Sequence, residues 1–218
     1  MGVGGTSSGA NRTPASLWSV PPALARKPVA LLGVAVLYAV VGKLGQMTTT
    51  MPSQISPIFP SAGIAVAALL LLGRPAWFGV WTGSLVLNSV LSPHARASIW
   101  ETLTSMPLGC LIAAGAASGA WAGAALVRRL CKHQHPLASG RNVLTLLAVA
   151  GIGCCAISPT VGVSSLALWG YLPWKMFGYA WLTWWLGDTA GNDVCGNTLD
   201  DTHTYFYLKP FTLRLTPR

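Results

Sequence analysis

An all-α, polytopic transmembrane helix bundle of about six spans is the fold class this sequence predicts, and three observations predict it. Hydrophobic residues make up 52% of the 218 residues and charged residues only 9%, where a soluble domain carries roughly a quarter charged. No charge falls between Lys43 and Arg74, and in lipid an unbroken apolar run satisfies its backbone as a helix. Only five acidic side chains occur, four of them among the last 31 residues. So little polar surface does not cover a water-soluble core of this length.

The elements follow in order. Residues 1–28 are rich in Gly, Ser, Pro and Thr without apolar periodicity and read as a flexible cytoplasmic tail. The leader ahead of Val29 is too long for a signal peptide and no small-x-small cleavage site precedes Lys43, so 29–47 reads as a retained first span. The second, 57–73, opens on Pro57 and Pro60, whose missing N–H groups suit a first helical turn, and reads as a span with a rigid, irregular entry. The remaining runs are 75–91, 99–127, 142–170 and 174–191. The fourth and fifth exceed the ~20 residues that cross a bilayer and must tilt, kink or break. Ser158-Pro159-Thr160, followed by Gly162, marks the fifth as kinked or re-entrant, with two half-spans as the other reading.

Loop charge sets the orientation. With the amino end inside, Arg12, Arg26, Lys27, Arg74, Arg128, Arg129, Lys132 and Arg141 lie on inner segments, and Lys43, Arg96 and Lys175 on outer ones. Eight against three favours a cytoplasmic amino terminus, and six spans return the carboxyl end to the same side. The formal charge of +9 is spread between apolar runs, which points to membrane orientation and not to nucleic acid. The expected partner is the lipid bilayer. Trp77, Trp81, Trp100, Trp169, Trp174, Trp181, Trp184 and Trp185 cluster near span ends, where an amphipathic ring suits the headgroup level.

Gly115, Gly119 and Gly123 place a small residue every fourth position of the fourth span. Such a face admits a second helix backbone closely, within one bundle or between two copies. Lys43, Asn88, Glu101 and Asp188 are the polar residues in or at the ends of spans. An ionisable group at bilayer depth costs a few kcal/mol and faces the interior or a partner. Asp188 is expected near the cytoplasmic end of the last span, paired with a basic residue or bonded to a neighbouring helix. Glu101 and Lys43 are expected near the outer surface. Cys110, Cys131, Cys154, Cys155 and Cys195 share no spacing, so no disulfide framework is expected. Cys131, His133 and His135 lack a second half-site, so neither a metal nor a cofactor is expected. No Walker loop, nucleophile elbow or zinc-protease pair occurs, and no enzymatic activity is expected.

Three stretches together resemble a known family: Tyr38-Ala39-Val40-Val41-Gly42-Lys43-Leu44-Gly45, Ile55-Ser56-Pro57-Ile58-Phe59-Pro60-Ser61-Ala62-Gly63-Ile64-Ala65, and Trp181-Leu182-Thr183-Trp184-Trp185-Leu186-Gly187-Asp188-Thr189-Ala190-Gly191. With Gly79–Asn88 and Arg141–Leu144 between them, they resemble the first-described type of membrane-associated sensor domain, abbreviated MASE, over about residues 29–191. The resemblance implies a multi-pass input module of the bacterial inner membrane, ahead of a cytoplasmic kinase, cyclase or phosphodiesterase. It puts Pro60, Gly63, Asn88, Trp184, Trp185, Gly187 and Asp188 at family motif positions, structural or sensory.

Beyond Gly191 the family pattern continues apolar, whereas this chain turns polar from Asn192 to Arg218. A frameshift or truncation is the expectation for that departure, together with the lack of an output domain and dependence on a signalling partner or a homodimer. The alternative function is a small transporter or channel-like bundle, which requires interrupted spans at matching places in two halves.

Overall fold

The computed structural model describes residues 28–49, 55–91, 99–130 and 153–192. Among them every regular element is helical. The α-helices are α1 (Pro28–Gln46), α2 (Ser61–Leu72), α3 (Ala76–Ser89), α4 (Ile99–Leu130), α5 (Ile157–Leu168) and α6 (177–192). Short 3₁₀ turns at Cys154–Ala156 and Trp174–Met176 lead into α5 and α6. The tail at 1–28, apart from Pro28, the Cys131–His135 cluster and residues 142–152 and 193–218 lie outside the described residues.

Prolines begin two of the helices. Pro60 and Pro75 occupy the N-cap positions of α2 and α3 at φ −61° and −58°, where a missing donor costs nothing. The expected span from residue 57 therefore starts four residues later, and 55–60 run as non-helical backbone. Pro159 acts differently. It has no N–H for the Cys155 carbonyl one turn back, and the chain tightens into the 3₁₀ turn there. The irregularity expected in the fifth apolar run thus sits just ahead of Pro159. Gly170, at φ 79°, ends the turn after α5, a conformation that glycine adopts without strain. The fourth run is one continuous helix of 32 residues through Pro107, about 48 Å long at 1.5 Å per residue.

Two helices, Pro28–Gln46 and Ile99–Arg129, are long and apolar enough to cross a membrane; Ser61–Leu72 and Cys154–Leu168 are apolar but shorter. Small residues set the packing between them. A Cβ on Gly79 or Gly83 of α3 would meet the backbone carbonyls of Leu31 or Ala35 in α1. On α4, Gly115 faces Val161 and Ser158, Gly119 faces Ser158 and Ile157, and Gly123 faces Cys154. The expected glycine stripe is an internal contact between α4 and α5, which run antiparallel. The larger core gathers Tyr38, Leu69, Val80, Leu87 and Ala117; a smaller one joins Val163, Leu172 and Ala180 under Trp181 and Trp184.

The outer surface is apolar as well. Leu32, Val36, Leu37, Val40 and Leu44 of α1 all stand more than half exposed, the pattern of a helix whose second face meets lipid. Two basic side chains close helix ends. Lys43 Nζ donates to the Leu91 carbonyl just past α3 at 2.6 Å, and Arg128 donates to the Leu69 and Leu70 carbonyls in the last turn of α2. Cations there satisfy orphan carbonyls and suit the helix dipole.

Candidate functional site

The non-helical segment 55–60 is held from two sides. Ser56 Oγ contacts Thr48 Oγ1 at 2.9 Å and donates to the Ile58 carbonyl at 2.6 Å, which turns the chain locally. On the other side lies α6. The Phe59 N–H donates to the Gly187 carbonyl at 3.2 Å. A Cβ on Gly187 would stand 2.7 Å from the Ser56 carbonyl oxygen, and one on Gly191 would stand 2.7 Å from the Phe59 carbonyl carbon. Only glycine at both positions lets α6 lie against this backbone. Non-helical backbone in a membrane protein is tolerated where protein covers it, and α6 covers one side of this segment.

One residue beyond Gly187, Asp188 is 4% exposed. Its carboxylate accepts a hydrogen bond from the Ser158 hydroxyl on α5 and lies within electrostatic reach of Tyr38 on α1. Tyr38, itself hydrogen-bonded to Ser84 of α3, is the eleventh of the 19 residues of α1. Asp188 therefore sits level with the middle of α1. Asp188 lies one turn before the described end of α6 at residue 192, and α1, α2, α4 and α5 border the cavity it faces. Of the two expected partners, a basic residue or a neighbouring helix, the structure shows the second, Ser158 of α5, and no Lys or Arg among the described residues lines the surrounding cavity.

That cavity, about 30 Å³, is bordered by Tyr38, Cys155, Ser158, Asp188 and Asn192 on its polar side and by Ala65, Gly119 and neighbouring small residues on the other. Asn192 Nδ2 donates to Cys155 Sγ at 2.9 Å, whereas its Oδ1 is buried without a partner among the described residues. A cavity of this size takes one or two water-sized occupants and is far below the ~300 Å³ of an organic-ligand pocket. Among the described residues no three His, Cys, Asp or Glu side chains converge to hold a metal.

The residues singled out in the sequence divide into three groups. Asp188, Gly187 and Pro60 come together, since Pro60 lies under Gly191 and opens α2, whose first turns border the cavity through Ala62 and Ala65. Gly63 is buried in that first turn. Asn88 connects indirectly: its Nδ2 reaches Ser84 Oγ at 3.3 Å and the Ser84 carbonyl at 2.8 Å, and Ser84 bonds Tyr38. Trp184 fills the space over Gly162, where a Cβ would meet its ring at 2.5 Å. Trp185 stacks on Trp181 at 6.0 Å. Glu101 stands apart, exposed in the first turn of α4, about 27 Å along the helix from Gly119. Sequence reasoning missed Tyr38, Cys155, Ser158 and Asn192 as the residues that border one cavity with Asp188. Tyr38 and Ser158 did lie in singled-out motifs, but nothing in their spacing says that they meet.

No curated protein and no solved structure matches the chain. The MASE1 family matches over residues 29–195, the region that contains every described helix apart from Pro28. With the stretches that carry the resemblance now packed around one buried carboxylate, the chain belongs to the MASE1 family of membrane-associated sensor domains.

Proposed function

We propose that this chain is a multi-pass sensory input module of the bacterial inner membrane, with six crossings and both termini cytoplasmic. It has no catalytic activity of its own and passes its signal to a partner protein or to a second copy of itself. One observation carries the reading. The two most distinctive family segments, 55–65 and 184–191, lie against each other and lend Ala62, Ala65 and Asp188 to the lining of one cavity, so a change at the carboxylate bears directly on how α6 sits. Because α6 leads toward the carboxyl end, its seating is the natural route of output.

The shortness of α2 and α5, 12 residues each, also suits the alternative of a small transporter. Both helices follow irregular backbone that borders the same core. A transporter of this kind works around a site between two repeats, and the family membership weighs instead toward sensing.

The test joins the whole chain to a cytoplasmic cyclase domain that lacks its own input. Asp188→Asn is expected to shift cyclase output severalfold at an unchanged membrane level. Equal output from both forms overturns the sensory reading. Reporter fusions at Gly140 and after Arg218 are expected to be active only as cytoplasmic reporters. A periplasmic signal at either point overturns the six-crossing map.

A further inference from the structure

Several oxygen acceptors border the Asp188 cavity. The carboxylate receives the Ser158 hydroxyl, and Asn192 Oδ1 receives nothing among the described residues. The Cys155 carbonyl loses its helical partner to Pro159, which has no N–H. All four residues Cys155, Ser158, Asp188 and Asn192 border one space. The charge is unbalanced too. The first turn of α2 lends about half a positive charge from its dipole, and the remaining half of the carboxylate charge has no Lys or Arg facing it. The titratable groups that border the cavity besides Asp188 are Tyr38, Cys154 and Cys155, each neutral when protonated. A buried carboxyl group so placed is neutralised either by a proton or by a positive counterpart, and the unfilled oxygen acceptors beside it favour the counterpart.

We propose that the Asp188 cavity is a binding site for a single small monovalent cation of sodium size, held by the carboxylate, the Asn192 amide oxygen and neighbouring hydroxyl and carbonyl oxygens. Several features select this occupant. The space of about 30 Å³ admits a bare ion with one water and excludes organic cations. The donors are hard oxygens, without the converging carboxylates a divalent ion requires. Carbonyls released from a distorted helix are the groups with which membrane proteins coordinate sodium at mid-depth. The inference deepens the sensory reading by naming the occupant of the same cavity, and it rests on that reading only for its signalling consequence.

The experiment uses the whole chain in nanodiscs of neutral lipid, with ²²Na⁺ as probe and choline chloride holding ionic strength constant. Saturable binding of about one ion per chain is expected, with lithium competing better than choline and with a sodium-dependent rise in melting temperature. Asp188→Asn, nearly isosteric, is expected to abolish both effects. Ser158→Ala is expected to weaken binding at least tenfold while the protein still melts cooperatively. No saturable binding in the unmodified chain overturns the inference, as does binding that survives in Asp188→Asn. A melting temperature that follows pH while ignoring sodium assigns the charge balance to a proton and also overturns it. The cyclase fusion separates the two readings. Sodium binding with unresponsive output leaves the cation site standing and removes the sensory role, whereas responsive output without sodium binding does the reverse.

Discussion

Replacing Gly187 with alanine adds one methyl group where α6 meets the 55–60 backbone. The new Cβ would stand 2.7 Å from the Ser56 carbonyl oxygen and 3.3 Å from the Pro57 carbonyl carbon. Both are main-chain atoms, so rotamer change gives no relief and the two segments must part. Overpacking of this kind costs about 1–3 kcal/mol, and it breaks the geometry of the Phe59 bond to the Gly187 carbonyl. Alanine returns up to about 1 kcal/mol through its better helix propensity, leaving a net loss of about 1–2 kcal/mol. Gly33 provides the control, because a Cβ there meets nothing within 4 Å; Gly33→Ala is expected to be neutral or stabilising by up to about 1 kcal/mol. Unfolding of the purified chain by graded replacement of mild detergent with SDS, followed by tryptophan fluorescence, measures both. Gly191→Ala is expected to lose more than Gly187→Ala, because the main-chain atoms of Phe59 and Pro60 stand closer to that Cβ than those of Ser56 and Pro57 do to the other. Equal midpoints for Gly187→Ala and Gly33→Ala would refute the claimed contact.

Two further outcomes follow from single contacts. Gly123→Cys, in a chain whose only other cysteine is Cys154, is expected to oxidise to an intramolecular disulfide. The two Cβ positions lie 3.7 Å apart, within the ~3.5–4.5 Å that the bond requires; a cross-linked dimer on a non-reducing gel would show that the α4 glycine face joins two copies instead. Ser61→Ala removes the 3.0 Å hydrogen bond from the fully buried Ser61 Oγ to the Tyr38 carbonyl and is expected to cost about 1 kcal/mol. In the same SDS titration Thr82→Ala, on the exposed face of α3, is expected to leave the midpoint in place.

The helical class and most helix positions were legible because apolar runs and proline punctuation act locally. Pro75 starts α3 and Pro60 starts α2 for reasons contained in one residue. The glycine stripe of α4 was legible as a contact face, but its partner was open, since spacing on one helix does not name the other. Asp188 shows the limit more sharply. Its rarity marked it in the sequence, yet its depth depends on how far α6 runs past Gly187 and on Tyr38, 150 residues earlier. The Ser158 contact likewise requires α5 and α6 to pack antiparallel, which Gly162 permits by receiving Trp184. None of these is a local property.

Cysteine labelling in intact cells tests most directly whether this membrane sensor module keeps the Asp188 site packed within its interior. Cys155 borders the cavity and is 6% exposed, so a chain retaining it as the only cysteine carries a probe without altering Asp188. A maleimide is expected to leave Cys155 unlabelled in the native membrane, even when the reagent is membrane-permeant, and to label it fully once SDS unfolds the chain. In a parallel single-cysteine chain, Gly140→Cys is expected to react only with the permeant reagent, as a cytoplasmic position. Rapid labelling of Cys155 in the native membrane would contradict the buried cavity on which the account stands.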